Sequence, residues 1–481
     1  MSVTVLGNLC VRLWDKLTDA SHGIVYDVTW PSVCLLHRNA RNLLDLAEKE
    51  QGILGVTAVV RGVIIMRYSS FLDWISETCR KVEHGLLSEI AVDPKCGDAI
   101  SDDFFENRRM KRLAEALKAN KTVKVFILRN VPIGKKGCKF LKDVLMANEG
   151  LKTLVLEDTR GDGTSMAVEV AKGLECNKTI EVLHLKANGI TSEGCGALGR
   201  MLSSNRVIRE IRLCHNHIDR DAALAFGLGL EENTALETLD LSGNNMNDSC
   251  IKAICKGLNR HPSLCFLCFD FNNFGIKGVE AIATMLKSNS VLRNLHLFGN
   301  HIDEIGGRSL ADALTHNRSL RTLILSFNDL GDVGASHLAE ALQYNETLRK
   351  LWLPANHLGN EGIRAFAKFL PSMKGLKQLN VGDYFDNEGA RALRESIKIN
   401  TELEVLYMES VLFDDEAMER DVDFYIRLNR AGRRLFRQVD FPMSLWPGVL
   451  SRADQFNLDG PDVLFHILRE KPDLFESTCP S

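Results

Sequence analysis

What this sequence lacks narrows it quickly. Neither sign of charge is in excess: 59 Lys and Arg stand against 63 Asp and Glu, a formal net charge of −4, and the two signs are mixed along the chain. That leaves no basic stripe for nucleic acid and no polybasic patch for a membrane surface. No long apolar run occurs either. The most apolar stretch, 52–66, is interrupted by Arg61 and is shorter than the roughly 20 residues a membrane helix needs. Residues 1–10 carry no basic residue ahead of their apolar stretch, so no secretory signal is read there, and neither end carries a lipidation box. The 13 cysteines are odd in number and follow no disulfide spacing, which points to free thiols in a reducing compartment. The expectation is a cytoplasmic or nuclear protein that binds no nucleic acid, membrane or metal.

Catalytic signatures are missing as well. A phosphate-binding loop of the Gly-x4-Gly-Lys-Ser/Thr form is absent, since Gly134-Lys-Lys-Gly137 lacks the pattern, and no nucleophile elbow or metalloprotease helix is found. Cys265 and Cys268 form one Cys-x-x-Cys, but alternation along a strand sends the two thiols to opposite faces, so they read as packing. His217, His301 and His357 recur at multiples of 28 and read as solvated turn residues. The chain is therefore expected to be no enzyme and to carry no cofactor.

What is there is a repeat. The phrase Leu-x-Leu-x-x-Asn recurs with its asparagine at Asn188, Asn216, Asn244, Asn272, Asn300, Asn328 and Asn356, spaced by 28 without a slip. Two residues later stands an apolar residue (Ile190, Ile218, Met246, Phe274, Ile302, Leu330, Leu358), and fourteen later a leucine (Leu202, Leu230, Leu258, Leu286, Leu314, Leu342, Leu370). Each unit predicts a short strand such as 182–185, a turn, and an amphipathic helix such as 192–203. One such unit cannot bury its own apolar face; stacking buries it between neighbours. The fold class this implies is α/β: a right-handed solenoid with a parallel inner sheet and outer helices. The asparagines form a ladder, each amide satisfying backbone groups that the turn leaves unpaired. Gly194, Gly278, Gly306, Gly334 and Gly362, six residues past their asparagines, mark a tight entry into the helix.

Degenerate copies, with Val131 and Thr159 in the asparagine column, extend the array to about eleven units over 98–410. One residue is gained before Leu183, and one is lost between 379–384 and 406–409. Residues 1–97 are expected to form a mixed α/β cap, with a helix at 35–51 and strands within 56–65. Residues 411–481 are expected to form a helical C-terminal cap, with a helix at 415–436 ending in Arg430, Arg433, Arg434 and Arg437, and another at 461–469.

The phrase Asn317-Arg-Ser-Leu-Arg-Thr-Leu-Ile-Leu-Ser-Phe-Asn328 resembles the ribonuclease-inhibitor type of leucine-rich repeat, as found in NACHT-type receptors, ribonuclease inhibitors and Ran GTPase-activating proteins. The resemblance covers about two-thirds of the chain. It implies a horseshoe that binds a protein partner on its concave face, and it permits GTPase activation as an alternative. The tail, with 441–450 (Phe-Pro-Met-Ser-Leu-Trp-Pro-Gly-Val-Leu) after a helix, loosely resembles a SOCS-type box. Gly432 stands nearest to where the box's cysteine belongs. That resemblance implies a second alternative, a ubiquitin-ligase substrate receptor.

If Leu183 and Leu185 face the core, positions 182, 184, 186 and 187 and their equivalents face the concave side. The middle of the array then presents Phe266, Asp270, Phe271, His296, Phe298, Phe327 and Trp352; earlier rungs present His184, Lys186, Glu210, Arg212, His215 and Asp240. The five aromatics form either a binding patch or rings packed on neighbouring rungs or under a flanking segment.

Overall fold

The structure, a computed structural model of the chain, describes residues 63–65, 78–92, 108–382, 385–408, 416–436, 451 and 469. All of them fall in the larger of two compact units, Ala58–Met66 with Phe71–Ser481. The expected helix at 35–51 and the tail segments 441–450 and 461–468 lie outside the described residues.

Among the described residues one 13-stranded sheet runs in sequence order, every neighbouring pair parallel. Val182 pairs with Glu210, and Glu210 with Thr238, the step of 28 read from the sequence. The gained residue appears as a step of 29 from Thr153 to Val182, and the lost one as a step of 27 from Gln378 to Val405. Strands Val63–Ile65 and Glu89–Val92 continue the sheet on the N-terminal side of the units expected at 98–410.

Most strands in the regular units are three residues long, because only the central leucine and the residue beyond the strand drive into the core. Leu183, Leu239, Leu267, Leu295, Leu323 and Leu351 are fully buried, as are Leu185, Leu213, Leu241, Leu297, Leu325 and Leu353. The helix leucines Leu202, Leu230, Leu286, Leu314 and Leu342 join them in one cluster. Each such side chain stabilises the stack by about 1.5–3 kcal/mol, and it does so against the next unit rather than its own.

The helix-entry glycines answer to space rather than to backbone freedom. A Cβ on Gly194 would stand 2.7 Å from Ile190 Cγ2 and 3.0 Å from the Ala167 Cβ of the preceding helix. Helix starts also borrow across rungs. Where Gly275 and Gly359 leave the cap position without a side chain, Asp248 and Asp332 of the preceding helix accept from the N–H groups of Gly275 and Gly278, and of Gly359 and Gly362.

The asparagine ladder is continuous. Asn272 Nδ2 donates to the carbonyls of Leu241 (3.2 Å), Phe269 (2.9 Å) and Asp270 (3.2 Å), while its Oδ1 accepts from Asn244 N (3.1 Å) and Met246 N (3.0 Å). Asn188, Asn216, Asn244, Asn300, Asn328 and Asn356 are likewise buried and donate to carbonyls one rung back. Thr159 substitutes partway, its N–H and hydroxyl both donating to Asn188 Oδ1.

A second ladder closes the other end of the helices. Asn205, Asn233, Asn289, Asn317 and Asn345 each donate to a leucine carbonyl 31 residues back and accept from their own following turn. His261 holds this place in one rung. Its Nδ1 accepts from Ser263 N and Leu264 N, but its buried Nε2 has no hydrogen-bond partner among the described residues. Burial pushes its pKa down to about 4 from 6.5. As pH falls from 6.5 towards 4 the unfolded chain takes up a proton that the folded ring refuses, so stability falls through that window. His261→Asn is expected to raise stability by about 1 kcal/mol at pH 7 and by a further 1–2 kcal/mol, roughly, at pH 5, measured by urea unfolding at both pH values.

At the C-terminal end the expected single helix 415–436 is broken. It runs Glu416–Arg430, turns at Gly432 with φ of +100°, and resumes at Arg433–Phe436. The break lets Arg433 donate to the Lys398 carbonyl (2.6 Å) while Arg430 reaches that of Glu404 (2.5 Å). Arg430 and Arg433 thus bind carbonyls of the last rungs, while Arg434 pairs with Glu402 at 3.5 Å.

Candidate functional site

Side chains flanking each central leucine turn away from the core and make columns across the sheet. The site spans the strands Thr238–Asp240, Phe266–Cys268, Asn294–His296, Thr322–Ile324 and Lys350–Trp352. The turn after each strand bends sharply. The residue just before every ladder asparagine is left-handed, with φ of +57° at Ala187, +55° at His215, +65° at Gly243, +51° at Phe271, +64° at Gly299, +58° at Phe327 and +57° at Ala355. A bulky residue in this region is strained by about 1–2 kcal/mol. Glycine relieves the strain at 243 and 299; Phe271 and Phe327 bear it, yet their rings are 59% and 57% exposed.

The glycines also make room. A Cβ on Gly299 would meet the Phe271 ring at 2.8 Å, and one on Gly243 the His215 ring at 2.5 Å. Phe271, Phe298 and Phe327 then stack across three rungs, with centroids 4.8 Å apart at each step, edge-on at the first and tilted at the second. Of the five aromatics expected to face solvent, Phe271 and Phe327 do so, while Phe266, Phe298 and Trp352 are half-buried by neighbouring side chains. Phe266 sets its edge against the His296 ring at 4.9 Å. Trp352 lies beneath Lys350 Nζ, 4.2 Å from the ring centroid, and 6.2 Å from Tyr407; its buried Nε1 has no hydrogen-bond partner among the described residues.

Beside the phenylalanines lies a cluster of polar side chains. Asp270 Oδ1 accepts from Phe298 N at 2.8 Å, and its Oδ2 stands 3.9 Å from His296 Nδ1. Burial raises the Asp270 carboxyl to about 6, against the lowering hydrogen bond from Phe298 N–H, and burial lowers the His296 imidazole to about 4. At pH 7 the pair is thus a carboxylate and a neutral imidazole. Cys268, dismissed above as packing, is 5% exposed yet stands outside the leucine core, with its sulfur, an Asp270 oxygen and a His296 nitrogen all within 4.8 Å of one another. The sequence signal for it was the shared column: Cys268 and His296 are 28 apart and pair directly across neighbouring strands. On the earlier rungs Glu210 is shared by His184 Nε2 (2.9 Å) and Arg212 Nε (2.7 Å). The turn histidines are exposed; His301 and His357 both face Asp329, at 3.9 and 3.6 Å.

A parallel sheet of short strands with one helix per rung, bound by an asparagine ladder, defines an α/β leucine-rich-repeat solenoid. The family described as Leucine Rich repeat matches residues 176–199, 232–255, 288–311 and 316–339, so the chain contains leucine-rich repeats, a fold that generally serves protein–protein interaction. No curated protein matches the chain. Among solved structures, the leiomodin-1 structure titled Actin-Binding Site 2 (ABS2) matches at 18% identity over 33% of this chain and 76% of that one, with a TM-score of 0.24, too distant to carry an argument. No helix among the described residues is long and apolar enough to cross a membrane.

Proposed function

We propose that this chain is a non-catalytic scaffold or regulator that binds a protein partner on the sheet face opposite its helices, around Phe266, Asp270, Phe271, His296, Phe298, Phe327 and Trp352. The observation that carries this reading is the pair Phe271 and Phe327. Two large rings are held in left-handed backbone at a cost to stability, and more than half their surface is left in water. Folding alone favours glycine in that column, as at 243 and 299; a surface that keeps phenylalanine there is built to be covered by something else.

The preformed sheet loses little ordering entropy when it binds. The 28-residue period with a helix in every regular unit described supports the ribonuclease-inhibitor subtype, and the free cysteines among the described residues support a reducing compartment, the cytoplasm or nucleus. We read 98–410 as the repeat array, with the segments before and after it as its caps.

The experiment is quantitative capture from native extract by wild type and by the combined variant Phe271→Ser, Phe298→Ser, Trp352→Ala, with circular dichroism to show that the variant is folded. A partner held by wild type and depleted at least about tenfold on the variant supports the reading. Equal capture would overturn the assigned face. Acceleration of GTP hydrolysis by Ran at catalytic amounts of the chain would move the function to the GTPase-activator alternative.

A further inference from the structure

We propose that Cys268, Asp270 and His296 form a binding site for a divalent transition-metal ion of the zinc class on the face of the sheet away from the core. The site is assembled across two rungs. Cys268 and Asp270 are two apart and so share a face of one chain segment, and His296 is the register partner of Cys268 on the next strand. Three chemically different donors, a thiol sulfur, a carboxylate oxygen and an imidazole nitrogen, converge within 4.8 Å. A tetrahedral zinc ion, with bonds of roughly 2.0–2.3 Å, sets its ligands about 3.3–3.8 Å apart. Closing the present separation takes a shift of about 1 Å, within the reach of side-chain torsions.

The surroundings match a metal site better than they match packing. Cys268 is buried, but among polar groups rather than in the leucine cluster, where a structural thiol would gain its packing energy. Asp270 Oδ1 is fixed by the Phe298 N–H, which aims Oδ2 towards His296; this is the outer support that metal-binding carboxylates need. The His296 ring is held by the edge of Phe266. Asp240, the register partner of Cys268 on the other side, adds negative potential that acts on Cys268, Asp270 and His296 alike. A dication would neutralise a thiolate and a carboxylate together, with water completing the coordination. The sulfur and nitrogen donors select zinc, cobalt, nickel or copper over magnesium and calcium. On binding, the Cys268 thiol releases one proton to solvent, His296 donates the lone pair of its neutral ring, and Asp270 binds as the carboxylate.

The test uses the full chain, stripped with a chelator and titrated with Co²⁺, with Zn²⁺ as competitor. We expect one saturable equivalent with a thiolate-to-cobalt charge-transfer band that Zn²⁺ abolishes. Cys268→Ser should remove that band, and His296→Gln should weaken binding at least about tenfold, whereas Cys265→Ser, on the opposite face, should leave both unchanged. Zn²⁺ should raise the Tm of wild type and of Cys265→Ser but not that of Cys268→Ser. Should Cys268→Ser fail to fold, Asp270→Asn and His296→Gln carry the same comparison at half-buried positions. Absence of a saturable band in wild type, or a band undiminished in Cys268→Ser or His296→Gln, would overturn the site.

Discussion

Asn272→Ala is expected to lower the stability of the central repeats by about 3–5 kcal/mol. The substitution strands two buried N–H groups of the preceding rung. The N–H groups of Asn244 and Met246 lose the Asn272 Oδ1 that accepts from them, whereas the carbonyls of Leu241, Phe269 and Asp270 keep a second donor in Asn244 Nδ2, Asn300 Nδ2 and Gly243 N–H. A buried unpaired polar group costs about 1–3 kcal/mol, and water cannot reach a turn whose asparagine is 6% exposed. Loss at one rung uncouples its neighbours, because each repeat is stable only through its interfaces. The unfolding transition should therefore broaden or split as well as shift. Thermal unfolding followed by circular dichroism checks both; a sharp transition within about 1 kcal/mol of wild type would mean that the ladder is ornamental.

Phe271→Gly with Phe327→Gly is expected to leave stability within about 1.5 kcal/mol of wild type and to weaken partner binding at least about 100-fold. The two effects separate because the rings serve different ends. Glycine at φ of +51° and +58° relieves about 1 kcal/mol of strain per site, offsetting the loss of stacking on Phe298, about 0.5–1.5 kcal/mol per pair. Binding has no such offset, since an aromatic anchor contributes about 2 kcal/mol or more and each 1.4 kcal/mol is tenfold. Denaturant unfolding beside a binding isotherm gives both numbers. A variant that is strongly destabilised, or that binds as wild type does, would show that the rings are structural.

How much of this was legible follows from what repeats. The strand–turn–helix unit, the asparagine ladder and the slips at 182 and 405 could be read because every column is sampled many times. Phe271 and Phe327 could be placed on the open face by alternation alone. Their strained backbone could not, because the column also holds alanine and histidine; Gly243 and Gly299 were its only trace. Contacts across rungs were less visible. Cys268 drew attention as half of a Cys-x-x-Cys, a local pattern whose other half points away, while its real neighbour, His296, lies 28 residues on. Tyr407 reaches Trp352 across a rung that the 27-residue step puts out of frame. The His261 defect stayed hidden because the second asparagine column, in phrases as different as Asn205-Arg-Val, Asn289-Ser-Val and Asn345-Glu-Thr, shows no structural duty in sequence.

The most direct test of the binding face is site-specific photo-cross-linking. A photoreactive phenylalanine analogue is placed singly at 271 and 327, and at two exposed positions on the helix side of the array, 224 and 344. The account predicts that the captured partner cross-links from 271 and 327 and not from 224 or 344. Cross-links confined to 224 or 344 would place the partner on the helices and contradict it.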